Sequence, residues 1–412
     1  MNRNLKLLWF TDASSIFGTS VYTLALTLLS LQYSDSALGA GAVLFVSVIP
    51  YFFLGIIGGV IVDRVDRKAI MLFCGWTRGL LTLSIPIAHA ADALTLGHIV
   101  TVSFVMTCLR AFFFPSIQAS IPLLVDDKKD LNKVNAYFGS TQNLGLMLGP
   151  SLGGILLQFD LDVAELLYID SVSYFISALL ISFIRIPKPE KQTGSGKKPT
   201  ILQDAWRGIA FISVGNKEIA IMIASFAAQL LIGAGVVQLG IPKVLEAADL
   251  GGQKSYGFVI SIVSLSSMLS SFWLSKRKVL QPAKWIFAGY ALRGVSFFLL
   301  GFPGSMLGIV LSALIQGFGN TISGTTLTTV LQLRTPNEML GKVMALRSSV
   351  GNVADAFAYL LIGGLLSAFS LPLAFVAVTV YVFGTTAIFY GLWLRQARQQ
   401  ARMETPGQSV GM

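Results

Sequence analysis

Twelve long apolar stretches dominate the chain: 7–32, 41–62, 70–90, 96–124, 135–159, 164–185, 218–245, 255–275, 284–302, 305–331, 343–369 and 371–394. About 20 mostly apolar residues in a helix cross the roughly 30 Å of hydrocarbon in a bilayer. Inside that layer every backbone N–H and C=O must pair within the protein, so a chain crosses only as helices or as a closed barrel. Barrel strands are short and alternate in polarity. These stretches are continuous and too long for that. The sequence predicts an all-α polytopic membrane protein with twelve transmembrane helices. Composition agrees: 12% of the 412 residues are Asp, Glu, Lys or Arg, against about 25% in a soluble domain. That is too little charge to coat a soluble surface, which excludes an ordinary soluble enzyme, a nucleic-acid-binding protein and a disordered chain.

The net charge of +10 has another explanation. Lys and Arg gather before span 1 (Arg3, Lys6) and after the even-numbered spans (Arg64, Arg67, Lys68; Lys128, Lys129, Lys133; Lys276, Arg277, Lys278), whereas the opposite side carries Lys243 and Lys254. Positive charge marks the cytoplasmic side and faces anionic lipid. Both termini are therefore expected in the cytoplasm, and no nucleic-acid partner is needed. The first apolar run follows Arg3 and Lys6 as in a signal peptide, but it is longer than an h-region and more spans follow. It reads as a retained first helix. The expected location is the cell (plasma) membrane, the inner membrane of a bacterium, with the lipid bilayer as partner.

The longest connection begins Pro187-Lys-Pro-Glu-Lys-Gln-Thr-Gly-Ser-Gly-Lys-Lys-Pro199, a flexible basic linker. Beyond it Ile201, Ala205, Trp206 and Ile209 share one face of a short helix expected on the membrane surface. The division is then 1–186 as an N-terminal six-helix bundle, 187–217 as linker, 218–395 as a C-terminal six-helix bundle and 396–412 as a cytoplasmic tail. The two bundles resemble each other. Phe73-Cys-Gly-Trp-Thr-Arg-Gly79 is echoed by Phe287-Ala-Gly-Tyr-Ala-Leu-Arg-Gly294. Lys133, Val134, Ala136, Ser140, Asn143 and Gly154 recur as Lys342, Val343, Ala345, Ser349, Asn352 and Gly363. Duplicated helical units of this kind characterise alternating-access transporters, whose substrate sites lie near the midplane at the repeat interface.

Two motifs carry a family resemblance. Gly59-Val-Ile-Val-Asp63-Arg64-Val-Asp66-Arg67-Lys68 resembles the loop 2–3 signature of the major facilitator superfamily, with Asp66 where glycine is usual. Gly145-Leu-Met-Leu-Gly149-Pro150-Ser-Leu-Gly153-Gly154 is similar to the motif of the superfamily's drug:proton antiporter branch. Within it, Arg110 through Val125 and spans 5 and 6 look most like the macrolide-efflux and enterobactin-exporter type. The resemblance implies a major facilitator fold with two pseudo-symmetric six-helix bundles, proton antiport and export. It also implies a cytoplasmic gate of Gly59, Asp63, Arg64, Arg67 and Lys68, in which Asp63 locks that side against span 11. The residues alone allow a second reading of Asp63, as an incidental acid within a positive cluster. Gly145, Gly149 and Gly153 recur every four residues and form a groove in which another helix can approach closely. Pro150 removes one backbone hydrogen bond.

Ionisable groups inside a membrane are costly and are functional candidates by default. Six stand out: Arg78, Arg110, Arg293 and Asp355 near mid-span, Asp12 towards the cytoplasmic end of span 1, and Asp170 in the outer third of span 6. Arg78 and Arg293 occupy matching repeat positions, which favours structural support of each half. Arg110 reads either as a proton relay or as a substrate-binding residue, and Asp355 either as a proton carrier or as one member of a fixed ion pair. Asp12 and Asp170 are further proton-coupling candidates. Thr19, Arg110, Gln118, Gln229, Gln238, Gln316 and Asn320 are candidates for a polar-and-aromatic substrate cavity; Ser, Thr and Gln also bond helices to one another.

The expected activity is export of a bulky amphipathic small molecule (multidrug or macrolide type), driven by protons moving the other way, in a monomer. One alternative is export of a specific anionic metabolite such as a siderophore, and another is a non-transport receptor or scaffold. No phosphate-binding loop, CxxC or HExxH is present, so no enzyme, cofactor or metal site is expected. Cys74 and Cys108 read as packing residues, and His89 and His98 as interfacial.

Overall fold

The computed structural model describes residues 2–62, 65–127, 131–159, 161–186, 216–276, 281–302 and 304–404. Among them there is no strand. The α-helices are α1 (Arg3–Gln32), α2 (Ala37–Val46), α3 (Ile49–Val62), α4 (Arg67–Ala90), α5 (Leu96–Leu124), α6 (Leu131–Leu156), α7 (Leu166–Phe183), α8 (Lys217–Gly235), α9 (Ile241–Ala247), α10 (Gly252–Ser275), α11 (Pro282–Gly301), α12 (Met306–Arg334), α13 (Asn337–Ala368) and α14 (Leu371–Glu404). Ten helical segments among the described residues are long and apolar enough to cross a membrane. Those ten leave out the expected spans 41–62 and 135–159, which are occupied by α2 with α3 and by α6. The linker and its expected surface helix lie outside the described residues.

Helix starts follow from capping side chains. The side chains of Asn2, Ser36, Thr95 and Ser305 accept backbone N–H bonds from Leu5, Gly39, His98 and Gly308, each worth about 1 kcal/mol. The second span differs from a single helix. Pro50 has no N–H to donate to the Val46 carbonyl, and the chain breaks into α2 and α3 at Ser47–Val48. Val48 and Tyr51 make tighter bonds to Phe45 and Val48, and Thr107 of α5 donates to the freed Ser47 carbonyl at 2.6 Å. The seventh span widens into a π-turn at Val236–Gly240, just before Pro242, where the Ile241 N–H reaches back to the Val236 carbonyl. Here too a proline removes the donor that a regular α pattern requires.

Helix α4 shows why the chain needs a membrane. Met71, Cys74, Arg78, Thr82 and Ile85 line a buried face, while Phe73, Trp76, Leu80 and Ile87 line an exposed one. Both stripes follow the helical repeat. A helix with its arginine inside and its large apolar side chains outside is suited to lipid.

The described residues fall into two compact units. The first gathers those of Met1–Gly196, Gly235–Ser264 and Tyr359–Ala368; the second gathers those of Lys197–Ala234, Leu265–Ala358 and Phe369–Met412. In the first unit α1 packs against α2, α5, α6 and α7, and α4 packs against α5 and α7. Leu5, Leu8, Met71, Phe113, Ile121 and Phe138 belong to its core, together with Cys74. In the second, α11 packs against α12 and α14, around Met222, Ile286, Phe287, Tyr290, Leu327 and Leu331.

The glycine row on α6 faces α1. A Cβ on Gly145, Gly149 or Gly153 would overlap Ile16, Ser20 or Leu24. Gly154, one residue on, instead meets the backbone of Gly257 on α10 so closely that neither position admits a side chain without movement. Its repeat counterpart Gly363 on α13 lies against the Ala37 and Leu38 backbone of α2, where the Leu38 N–H donates to Ser367 Oγ at 3.0 Å. These contacts bring parts of α10 and α13 into the first unit.

Gly149→Val is expected to destabilise the protein by about 1–3 kcal/mol through overpacking. Gly139 has open space at its Cβ position, and Gly139→Ala is expected to stabilise by about 0.5–1 kcal/mol. Thermal unfolding of the detergent-purified variants checks both, and equal midpoints for the two would contradict the close α1–α6 contact.

Candidate functional site

Two arginine centres lie inside the units. In the first unit Arg78 of α4 is 3% exposed. Its guanidinium sits 4.0 Å from the Tyr174 ring centroid and 5.5 Å from that of Phe113, and it donates to the Tyr174 hydroxyl. That hydroxyl also shares a 2.8 Å hydrogen bond with Thr19 of α1. One turn before Tyr174 on α7, Asp170 is 0% exposed. Its Oδ2 accepts from Thr82 at 3.5 Å, its Oδ1 has no hydrogen-bond partner among the described residues, and the charge on Arg78 reaches it electrostatically. Gly18 of α1 makes room for this cluster: a Cβ there would overlap Ser173 and Asp170 Oδ1.

Arg110 of α5 is handled differently. It is exposed although it lies near the middle of its helix. Its guanidinium is 5.7 Å from the Tyr51 ring centroid on α3. Gln118, further along α5, is also exposed, and Thr23 is the one exposed position of α1 between Thr11 and Ser30. Asp12 is buried.

In the second unit Arg293 of α11 is 4% exposed. Its guanidinium occupies the space where Gly233 of α8 would carry a Cβ, with the Phe297 ring centroid at 5.7 Å. Asp355 of α13 lies within its electrostatic reach. Asp355 is half-buried, and its Oδ1 has no hydrogen-bond partner among the described residues. Gln229 is buried and donates to Thr385, Thr386 and the Val382 carbonyl of α14. Gln316 is buried on α12, whereas Asn320 one turn on is exposed.

Gln238 sits in the π-turn. Its Oε1 accepts from Thr27 of α1 at 2.5 Å and from the buried Tyr256 of α10 at 3.1 Å. A single side chain therefore joins three spans in the first unit. Of the seven cavity candidates, Arg110, Gln118 and Asn320 are exposed, Gln229 and Gln316 are buried, and Thr19 and Gln238 are half-buried and hydrogen-bonded.

At the basic ends of the helices, Arg67 donates to the Ala119 carbonyl of α5 at 2.7 Å, and Lys68 donates to the Ser182 and Ile184 carbonyls at the end of α7 at 2.7 and 2.8 Å. Lys68 there satisfies carbonyls at the end of α7 that have no partner within that helix. Asp66 caps α4 by accepting from the N–H groups of Lys68 and Ala69. The position where the resemblance would place glycine is thus a helix start. Asp63 and Arg64 lie outside the described residues. Gly59 and Pro150 fall within α3 and α6.

Sequence reasoning missed Tyr174, Tyr51, Gly233 and Arg347. The spacing of Tyr174 four residues after Asp170 was the available signal, because it places both on one face of a helix. Arg347, near the start of α13, lies 4.6 Å from the Phe226 ring centroid. Arg334, at the end of α12, pairs with Glu218, which also accepts from Trp393 at 2.8 Å. His89 lies near Tyr33 and Asp162, and His98 near Ser84, at the ends of α4 and α5. Cys74 is buried, and both cysteines are free.

Arg78→Met is expected to destabilise by about 3–5 kcal/mol, because it leaves a buried acid without its cation. Arg78→Met combined with Asp170→Asn should recover more than half of that loss. Thermal unfolding of both variants measures the coupling, and a double variant no more stable than the single one would show that the two charges act independently.

Residues 8–359 match the profile of the Major Facilitator Superfamily. The chain is 22% identical over 406 residues to the multidrug efflux pump Tap of Mycolicibacterium fortuitum, covering 93% of this chain and 95% of that protein. It is 23% identical over 216 residues to macrolide efflux protein A of Streptococcus pyogenes, about half of each chain (52% and 53%). Its fold is similar to the crystal structure of a bacterial homologue of the human lysosomal transporter Spinster, in an inward-facing and unoccupied conformation. There the TM-score is 0.72 at 14% identity, over 95% of this chain and 96% of that one. Apolar helices, buried arginine centres and the matched residues agree: this multi-pass membrane protein belongs to the Major Facilitator Superfamily of transporters.

Proposed function

We propose that this protein exports bulky amphipathic compounds by alternating access, with protons moving in the opposite direction and Asp355 carrying them. The observation that carries the reading is the state of Asp355. It stands mid-helix within reach of a buried arginine, yet the residue is only half-buried, and its buried Oδ1 has no hydrogen-bond partner among the described residues and can take a proton. A carrier must meet water, hold a proton and give it up. Asp170 is sealed from solvent and fits a fixed structural acid better. A carboxylate that alternates between Arg293 and a proton links loading to the position of α13.

Export is supported by the glycine row on α6 and by Tap and macrolide efflux protein A, both named as efflux proteins. In the first unit the exposed polar positions Thr23 and Gln118, together with the Tyr51 ring, suit a large amphipathic substrate better than a small hydrophilic one. Intracellular ends bearing the basic clusters complete the orientation, with the two sequence halves 1–186 and 218–395 moving as the repeats.

The test is reconstitution in proteoliposomes with an imposed pH gradient, screening a cationic dye, a macrolide and a siderophore for proton movement opposite to substrate. Asp355→Asn is expected to lower gradient-driven efflux at least about tenfold, equivalent to about 1.4 kcal/mol, while substrate counterflow stays within about twofold of the unmodified protein. Unchanged gradient-driven efflux in Asp355→Asn would remove the carrier role. Absence of any substrate-dependent proton movement would remove the antiport reading.

A further inference from the structure

Arg110 is the exception among the mid-helix arginines. Arg78 spends its guanidinium on Tyr174, and Arg293 is enclosed by α8 and α11. Arg110 makes no ion pair and no hydrogen bond with any described residue. Its one close partner is the Tyr51 ring. The other charge that acts on it is Arg78, which has the same sign. A guanidinium carries five N–H donors in a planar fork, and here, beside a second cation, no described residue takes up any of them.

The exposure of Arg110 does not face lipid. The other exposed positions of the same helix include Thr101, Phe104, Gln118 and Pro122. At about 100° per residue, Thr101, Phe104 and Pro122 cluster on one side, Arg110 lies about 120–180° around the helix from them, and Gln118 falls between, about 80° from Arg110. A cation at this depth facing hydrocarbon would cost several kcal/mol, which gives a second reason to place it on the interior side. Thr23 points to the same accessible interior: α1 is packed by α2, α5, α6 and α7, yet between Thr11 and Ser30 it is exposed at that one position. Thr23 bonds back to Thr19, which holds Tyr174, whose hydroxyl is within electrostatic reach of Arg110.

We propose that Arg110, backed by Tyr51, is the recognition element for an acidic group on the substrate. The substrate would be an amphipathic organic anion whose carboxylate or sulfonate takes the guanidinium fork in bidentate fashion. The Tyr51 ring holds the guanidinium from one side, which leaves the donors on its edge for the ligand. This proposal rests on the export reading for its biological direction, but not for the binding itself.

The test uses the full-length protein in nanodiscs and three probes of one size and shape: pyrenebutyrate, its methyl ester and pyrenebutylamine. Binding is corrected with empty nanodiscs. The unmodified protein should bind pyrenebutyrate at least about tenfold more tightly than the other two. Arg110→Gln should erase that preference with an unchanged melting temperature. Arg110→Glu should invert it towards pyrenebutylamine, and Arg110→Lys should keep only part of it, because an ammonium lacks the fork. A purely structural arginine would produce no inversion. Equal binding of the three probes, or an equal loss of all three in Arg110→Gln, overturns the proposal. So does displacement of pyrenebutyrate by sodium sulfate or sodium chloride at similar concentration, which would mean an inorganic anion only. Arg110-dependent preference without gradient-driven export would remove the export reading and leave the subsite. Export with no charge preference would do the reverse.

Discussion

The cost of holding a guanidinium inside a membrane organises this structure. On insertion scales it is about 2.5–3.5 kcal/mol at a helix centre, comparable to a sizeable fraction of a protein's net stability. Local geometry answers that cost. Tyr174 offers Arg78 both a ring face and a hydroxyl, and Thr19 holds that hydroxyl in place. Arg293 fits only because position 233 is glycine. The helix contacts follow: α1 approaches α7 closely at Gly18, and α8 approaches α11 closely at Gly233. Each of these glycines precedes its arginine by the same number of residues, but Gly18 makes room for Ser173 and Asp170 whereas Gly233 makes room for the arginine itself.

The chemistry on that scaffold is not duplicated. Arg78 meets its acid from α7, whereas Arg293 meets its acid from α13. The helices differ in repeat position, and so do the surroundings. Asp170 is enclosed by Thr82, Ser173 and Gly18, while Asp355 keeps part of its surface open. A symmetric fold thus holds one sealed acid and one accessible acid. Such a difference separates a structural charge from one that can exchange protons, and it motivates the choice of Asp355 over Asp170.

Much of this was legible in the sequence because membranes impose coarse rules. Ten of the expected spans reappear as long apolar helices, and the glycine row of α6 proved to be a packing surface. The intramembrane arginines were visible as isolated charges in apolar runs. Their partners were not, since Tyr174 and Gly233 carry no charge and come from distant helices. Asp66 and Lys68 illustrate the limit. Their positions read as motif residues, but capping α4 and binding the last carbonyls of α7 depend on where α7 ends in space. Pro50 and Pro242 were legible in principle. Each removes a single donor, and the chain responds differently, with a break in one case and a π-turn in the other. Beside the break, Thr107 of α5 takes up the Ser47 carbonyl, a partner supplied by a helix distant in sequence.

The π-turn has a further consequence for how firmly the first unit is tied. Gln238 Oε1 receives Thr27 and Tyr256, the Leu38 N–H reaches Ser367, and Gly154 and Gly363 rest on backbone. None of these contacts is an ion pair. Net contributions of about 0.5–1.5 kcal/mol for each neutral hydrogen bond add to a few kcal/mol. That is the range in which two conformations coexist and a bound ligand shifts their populations. Charge pairs buried at the same place would cost more to separate, because each parted ion would be left without its partner. Small residues and neutral hydrogen bonds therefore hold segments of the two sequence halves together in the first unit at a lower cost of separation than buried ion pairs would impose.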